Sequence, residues 1–350
     1  MSLFHPTVYL VIAIIVLGIL LYALWSKYKV QTRLGQHYAM VSLKLSAIPK
    51  SSPTRQRLEA ARACFDEGWQ VLSTAEKPYN LMKGFAQAVE IDELACSWKK
   101  NYLEKMEQMQ LIGDFFELPS RNDTEKYYSM LTEAYLVVIL YTVLSSYDKQ
   151  EQDVAEDYKV VKSRMDVCVQ LQKNNPMVYK LRADFCMRLG AVADEKLIEK
   201  DLETAIRLAE ADEDGRTLSC PGVDSKQQRL FVLTWCHHQL GCLARKTQNL
   251  PRAKEHFELA IKYADPHYFG LAYCYFCLCI ITLMSIKKAE PEERPGITLQ
   301  AINIFQDGVA AEKRTLRYLP MIRDIELPRK LAKELIKRFT KGLPTAGDGF

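Results

Sequence analysis

The chain has 350 residues, 48% of them hydrophobic and 26% charged, with a formal charge of +4. Length and apolar content allow a sizeable core and one to three domains. So small an excess of cations gives no argument for nucleic acid, and no nucleic-acid partner is expected.

In chain order the first feature is Thr7–Trp25, nineteen residues without a charge. At the helical rise this stretch covers roughly 28 Å, close to a bilayer's hydrocarbon core. Tyr9 stands near one end, and Tyr22, Trp25 and Tyr28 near the other, as interfacial aromatics do. The start, MSLFHP, has no Lys or Arg, and the run ends in bulky residues rather than a small-x-small cleavage site. The expected unit is an uncleaved anchor over 1–26. Lys27, Lys29 and Arg33 follow the span, so the positive-inside rule places the rest of the chain in the cytosol or cytoplasm, on a basic linker over 27–53.

Beyond Pro53 the pattern is helical throughout, with no convincing alternating strand. An N-terminal helical part, 54–123, carries Leu58, Ala61, Cys64, Phe65 and Trp69 on one face and a long stretch from about Tyr79 to Leu118. Thr124–Ser146 is apolar from Leu131 to Leu144 but interrupted by Thr132 and Glu133, which suits a buried helix better than a second span. Further helices are expected over 150–173, 177–192, 195–212, 225–247, 251–264, 267–287, 296–313 and 328–340. Gly215–Asp224 and Glu290–Pro295 are expected as loops. The ten cysteines are scattered, mostly within apolar helical runs, and read as reduced, buried thiols. Cys236-His237-His238, Cys242 and Cys274/Cys277/Cys279 do not converge at helical spacing, so neither a metal nor a cofactor is expected.

Two segments share a pattern. Leu189-Gly190 is followed by Leu202, Ile206 and Ala209, and Leu240-Gly241 by Ala253, Phe257 and Ala260, at +12, +16 and +19 from each glycine. A small residue lets two antiparallel helices approach, and the later positions form one face. On these residues the segment Trp235–Pro266 resembles the tetratricopeptide-repeat (TPR) family, with His237 and Ala244 departing from the pattern and Pro266 one place late. Arg182–Asp214 resembles a second unit. The resemblance implies an all-α solenoid of helical hairpins over 124–313 behind the transmembrane helix. It also implies a groove lined by Asp184, Met187, Ala191, Asp194, Trp235, His238, Cys242 and Arg245. The layout is similar to signal-anchored TPR receptors of the mitochondrial outer membrane and to bacterial inner-membrane TPR scaffolds.

Segment 314–350 is basic. Leu327, Leu331, Leu335 and Phe339 form an apolar stripe beside Arg329, Lys330, Lys333, Lys337 and Arg338, suited to capping the stack or to meeting anionic lipid headgroups. No phosphate-binding loop, HExxH or GxSxG motif occurs. The sequence therefore predicts a non-enzymatic, membrane-anchored adaptor that binds a protein partner. An accessory subunit of a membrane complex and an enzyme with an unfamiliar helical site are the alternatives.

Overall fold

The computed structural model describes residues 44–70, 77–97, 119–144, 151–190, 194–218, 220–319 and 325–340. The expected span Thr7–Trp25, its flank Lys27, Lys29 and Arg33, and the groove residue Ala191 lie outside these residues. Within them are eleven α-helices: α1 Pro53–Gln70, α2 Lys77–Ser97, α3 Asp123–Leu144, α4 Glu151–Leu171, α5 Pro176–Arg188, α6 Glu195–Ala211, α7 Ser225–Lys246, α8 Leu250–Tyr263, α9 Leu271–Ser285, α10 Arg294–Leu316 and α11 Glu326–Thr340.

Local chemistry sets several of the helix starts. Asn122, Asn175, Asp194, Asp224 and Asn249 each accept a hydrogen bond from a free backbone N–H in the first turn that follows. Such a cap stabilises by about 1 kcal/mol. Pro176, Pro251 and Pro295 stand in first turns, where a missing N–H costs nothing. Helix α10 consequently begins at Arg294, inside the segment expected as a loop.

The helices pack as consecutive hairpins, α1–α2, α3–α4, α5–α6, α7–α8 and α9–α10, with α11 laid against α9 and α10. Hairpins are joined through α2–α3, α4–α5, α6–α7 and α8–α9, and α5 touches both α3 and α7. One ring from each of α1, α2, α3 and α5 forms a ladder: Phe65, Phe85, Tyr135 and Phe185 have successive centroids 6.1, 5.7 and 5.5 Å apart. Offset rings at this spacing stabilise beyond their buried area. A single apolar cluster continues from these rings through Trp235 and Phe276 to Tyr318 and Ile325. The stretch Leu271–Lys288 is apolar enough to cross a membrane, yet most of it is buried inside the protein. It is a core helix: Cys274 and Cys277 pack with Ala253 and Phe257, and Cys279 with Ala301, Ala332 and Ile336.

The close-approach reading holds for one of the two matched glycines. A Cβ on Gly241 would stand 2.8 Å from the Phe257 ring, so α7 and α8 approach this closely because glycine stands there. Gly190 instead follows the end of α5 with φ +66° and nothing within 4 Å of its missing Cβ. Its role is to end a helix in the left-handed conformation. The buried face of α6 is Ile198, Leu202, Ala205 and Ala209, with Ile206 turned partly outward. A closer glycine contact joins α1 to α2, where Cβ atoms on Gly68 and Gly84 would come within 2.4 and 2.3 Å of the opposite backbone.

The array also departs from an open solenoid, in which each repeat touches only its neighbours. The Lys44 N–H donates to the Tyr318 carbonyl at 3.1 Å. The Asp265 carboxylate, between α8 and α9, accepts from Ser52 Oγ at 3.0 Å and from Thr54 N–H at 3.1 Å. Asp265 thus caps α1 from 211 residues away and ties the first hairpin to the fourth. Behind this contact α2 breaks at Asp92, whose φ/ψ of −161°/103° is extended rather than helical. Gln228 Nε2, from α7, donates to the Glu90 and Ile91 carbonyls at 3.3 and 3.0 Å beside the break. Arg57 meets Asp92 at 3.4 Å and lies 3.8 Å from the Phe231 ring centre.

Candidate functional site

Helix α7 is the centre of the candidate site, since it carries four of the predicted groove residues. Trp235 is only 2% exposed, with the Lys180 ammonium 4.5 Å from its ring centre. His238 is 7% exposed, and its Nδ1 lies 2.9 Å from the Tyr268 hydroxyl. A Cβ on Gly270 would strike the His238 ring at 2.6 Å, so the start of α9 covers this part of the helix. Arg245 donates to the Tyr273 hydroxyl at 2.8 Å, and Cys242 is half-buried. Asp184 is buried and pairs with Arg188 at 2.8 Å, Met187 is half-buried, and exposed Asp194 caps α6. His238, Cys242 and Arg245 therefore meet Tyr268 and Tyr273 in an internal network, and Trp235 is buried beside Lys180. Those on α5 and before α6 serve local contacts.

The open part of α7 is its N-terminal half. Gln227, Leu230, Phe231 and Thr234 recur at i, i+3, i+4 and i+7 and line one wall of a cleft of about 320 Å³. Pro53, Thr54 and Arg57 of α1 form a second wall, and Lys262 to Pro266 with Tyr268 close the far side. Leu230 is 37% exposed, Lys262 is exposed, and Tyr263 is half-buried. This volume lies at the lower end of the range for binding pockets, and its mixed lining suits a few side chains of an extended segment. A wider depression of about 430 Å³ beside Tyr79, Lys83 and Tyr128 is polar, and Arg121 and Glu125 on its rim already pair with one another at 2.7 Å.

Burial holds the histidines and thiols of α7 and α9 neutral. Burial lowers the pKa of His238 to about 4. Burial, with the neighbouring His256 second, does the same for His237. The His237 and His256 Nδ1 atoms are 3.1 Å apart, and buried His237 Nε2 has no hydrogen-bond partner among the described residues. A buried N–H without an acceptor costs more than a buried lone pair, which assigns the proton of His237 to Nδ1, donating to His256. Burial also pushes the thiols of Cys236, Cys277 and Cys279 up to about 12 and that of Cys242 to about 11. Thiols so protonated are poor nucleophiles and poor metal ligands. Among the described residues no three His, Cys, Asp or Glu side chains converge as metal ligands would.

Charged side chains elsewhere are engaged in structure. Arg182 grips Asp201 through Nε and Nη2 at 2.7 and 2.5 Å and reaches Asp166 at 2.7 Å. Glu199 and Glu203 of α6 both pair with Arg252 and bridge α6 to α8. On α11, Arg329 turns inward to Glu312 at 3.1 Å, whereas Lys330, Lys333, Lys337 and Arg338 are exposed. The apolar stripe divides: Leu335 and Phe339 pack on the core, and Leu327 and Leu331 face outward.

The cleft residues of α7 follow one helical face in sequence and could have been found by extending the groove one turn towards the N-terminus. The contribution of Asp265 carries no such signal. No family model and no curated protein matches the sequence. A solved structure from "Computational Design of Self-Assembling Cyclic Protein Homooligomers" matches across 90% of this chain and 94% of its own. It has 13% identity and a TM-score of 0.17, too little overlap to bear on fold or function.

Proposed function

We propose that this chain is a non-enzymatic adaptor of TPR-like hairpins, tethered by its N-terminal apolar segment, that receives a short segment of a protein partner in the α1–α7–α8 cleft. The observation that carries this reading is the cleft itself. An exposed leucine on the N-terminal half of a first-helix face, whose C-terminal half is covered by α9, stands with aromatic side chains and with Lys262, which has no ion pair among the described residues and lies 5.5 Å from the Tyr263 ring centre. Such a surface recognises an extended or helical segment through apolar anchors with polar groups at the edge. The Gly241–Phe257 packing supports the TPR-like reading of α7–α8. The basic residues after Thr7–Trp25 support a domain on the cytosolic or cytoplasmic side, at a mitochondrial outer membrane or a bacterial inner membrane.

The test is affinity purification of the full chain in mild detergent, comparing the natural sequence with Leu230→Asp and Lys262→Glu. Both side chains are partly or fully exposed, so the fold should survive each change. A partner enriched with the natural chain and lost with both variants supports the reading. A partner retained by both places recognition on another surface.

A further inference from the structure

Helix α11 has two faces with different fates. Pro328, Ala332 and Ile336 are buried, and the last two join Cys279, Leu283 and Ala301 in one apolar cluster. On the outside, Leu327 is 76% exposed and Leu331, one turn on, 41%. Five cations stand on this helix against two carboxylates. Arg329 is used by Glu312 and Lys330 by Glu326, which leaves exposed Lys333, Lys337 and Arg338 with no ion pair among the described residues. Capping therefore uses one side of α11 and leaves leucines and uncompensated cations on the other. A soluble surface does not need that combination.

The placement of this face is informative. The Lys44 N–H bonds to the Tyr318 carbonyl, so the chain arriving from the N-terminal segment meets the domain at the connection that leads into α11. We infer that the outer face of α11 docks on an anionic membrane surface, with Leu327 and Leu331 entering the headgroup layer and Lys333, Lys337 and Arg338 meeting lipid phosphates and carboxylates. Charge complementarity selects this occupant over a second copy, whose own α11 would bring like charge. The domain would then lie against the bilayer rather than hang from its tether, with a fixed orientation for the cleft. This inference rests on the tethered reading above.

The full chain, reconstituted in vesicles, tests it through backbone hydrogen exchange over Glu326–Thr340. Exchange should be slower in mixed phosphatidylcholine–phosphatidylserine vesicles than in phosphatidylcholine alone. The difference should shrink in high salt and fall roughly five-fold for each cation removed. Lys333→Glu with Lys337→Glu should abolish it, and Leu327→Asn should weaken it without unfolding, because that side chain makes little contact. Equal exchange in the two vesicles overturns the inference while leaving the tether intact. Protection by inorganic phosphate alone, or only on adding a protein partner, also overturns it. Failure of the chain to stay with vesicles after carbonate extraction overturns the tether instead.

Discussion

Acidification should destabilise this protein through two neighbouring histidines of α7. Burial lowers both His237 and His238 from 6.5 to about 4 in the folded chain. The unfolded chain therefore binds more protons below pH 6.5. The stabilisation from keeping each ring neutral is fully present above that pH and is lost as pH falls towards 4. At pH 5 each ring should cost ~2 kcal/mol relative to pH 8, and the pair ~4 kcal/mol, a large share of a typical domain's stability. Protonation also gives His238 Nδ1 a hydrogen that faces the Tyr268 hydroxyl, and places the second hydrogen of His237 on buried Nε2, which has no acceptor among the described residues. The assay is urea unfolding of the full chain, followed by circular dichroism between pH 8 and 5, beside His238→Phe. That variant should lose ~1 to 3 kcal/mol at pH 8, because buried Tyr268 loses its partner. Its stability should then fall by only about half as much on acidification. Equal pH slopes for the two proteins would refute the reasoning.

Three further outcomes follow from the packing. Gly241→Ala should cost about 1 to 3 kcal/mol by driving a methyl into the Phe257 ring, read as a lower unfolding midpoint, and adding Phe257→Leu should recover part of the loss. Glu90 accepts from Asn175 and Tyr127, and burial raises its pKa above 4.5. Its stabilising contribution is therefore greatest below 4.5 and declines as pH rises, so Glu90→Gln should be neutral or stabilising at pH 7, with any gain vanishing in acid melts. Asp265→Ala should remove the distant cap of α1 and cost about 1 kcal/mol, with hydrogen exchange rising over 44–60 more than in α3 to α6.

Most helix boundaries were legible because the signals are local: Asn175-Pro176, Asp194, Asp224 and Asn249-Leu250-Pro251 mark helix starts by their own hydrogen-bonding chemistry. The repeat pattern was only half informative. Leu189-Gly190 and Leu240-Gly241 look alike in sequence, but α5 has 13 residues and ends before its glycine, whereas the 22 residues of α7 carry Gly241 within the helix. Which face of α7 stays open depends on Tyr268, Gly270 and Tyr273 folding over it, and no residue of α7 encodes that. The break at Asp92 and the cap from Asp265 were equally hidden, because Gln228 and Thr54 lie 137 and 211 residues from the groups they satisfy. On α11 the sequence shows one stripe, and only the packed core decides that Leu335 turns in while Leu327 turns out.

The central claim is that the cleft beside Leu230 receives a partner, and a photo-crosslinking residue tests it most directly. Placed at 230 in the full chain in cells, it should yield one adduct of discrete mass, and the same residue at Val160 on α4, equally exposed, should yield none. Adducts of the same mass from both positions, or from neither, would contradict the claim.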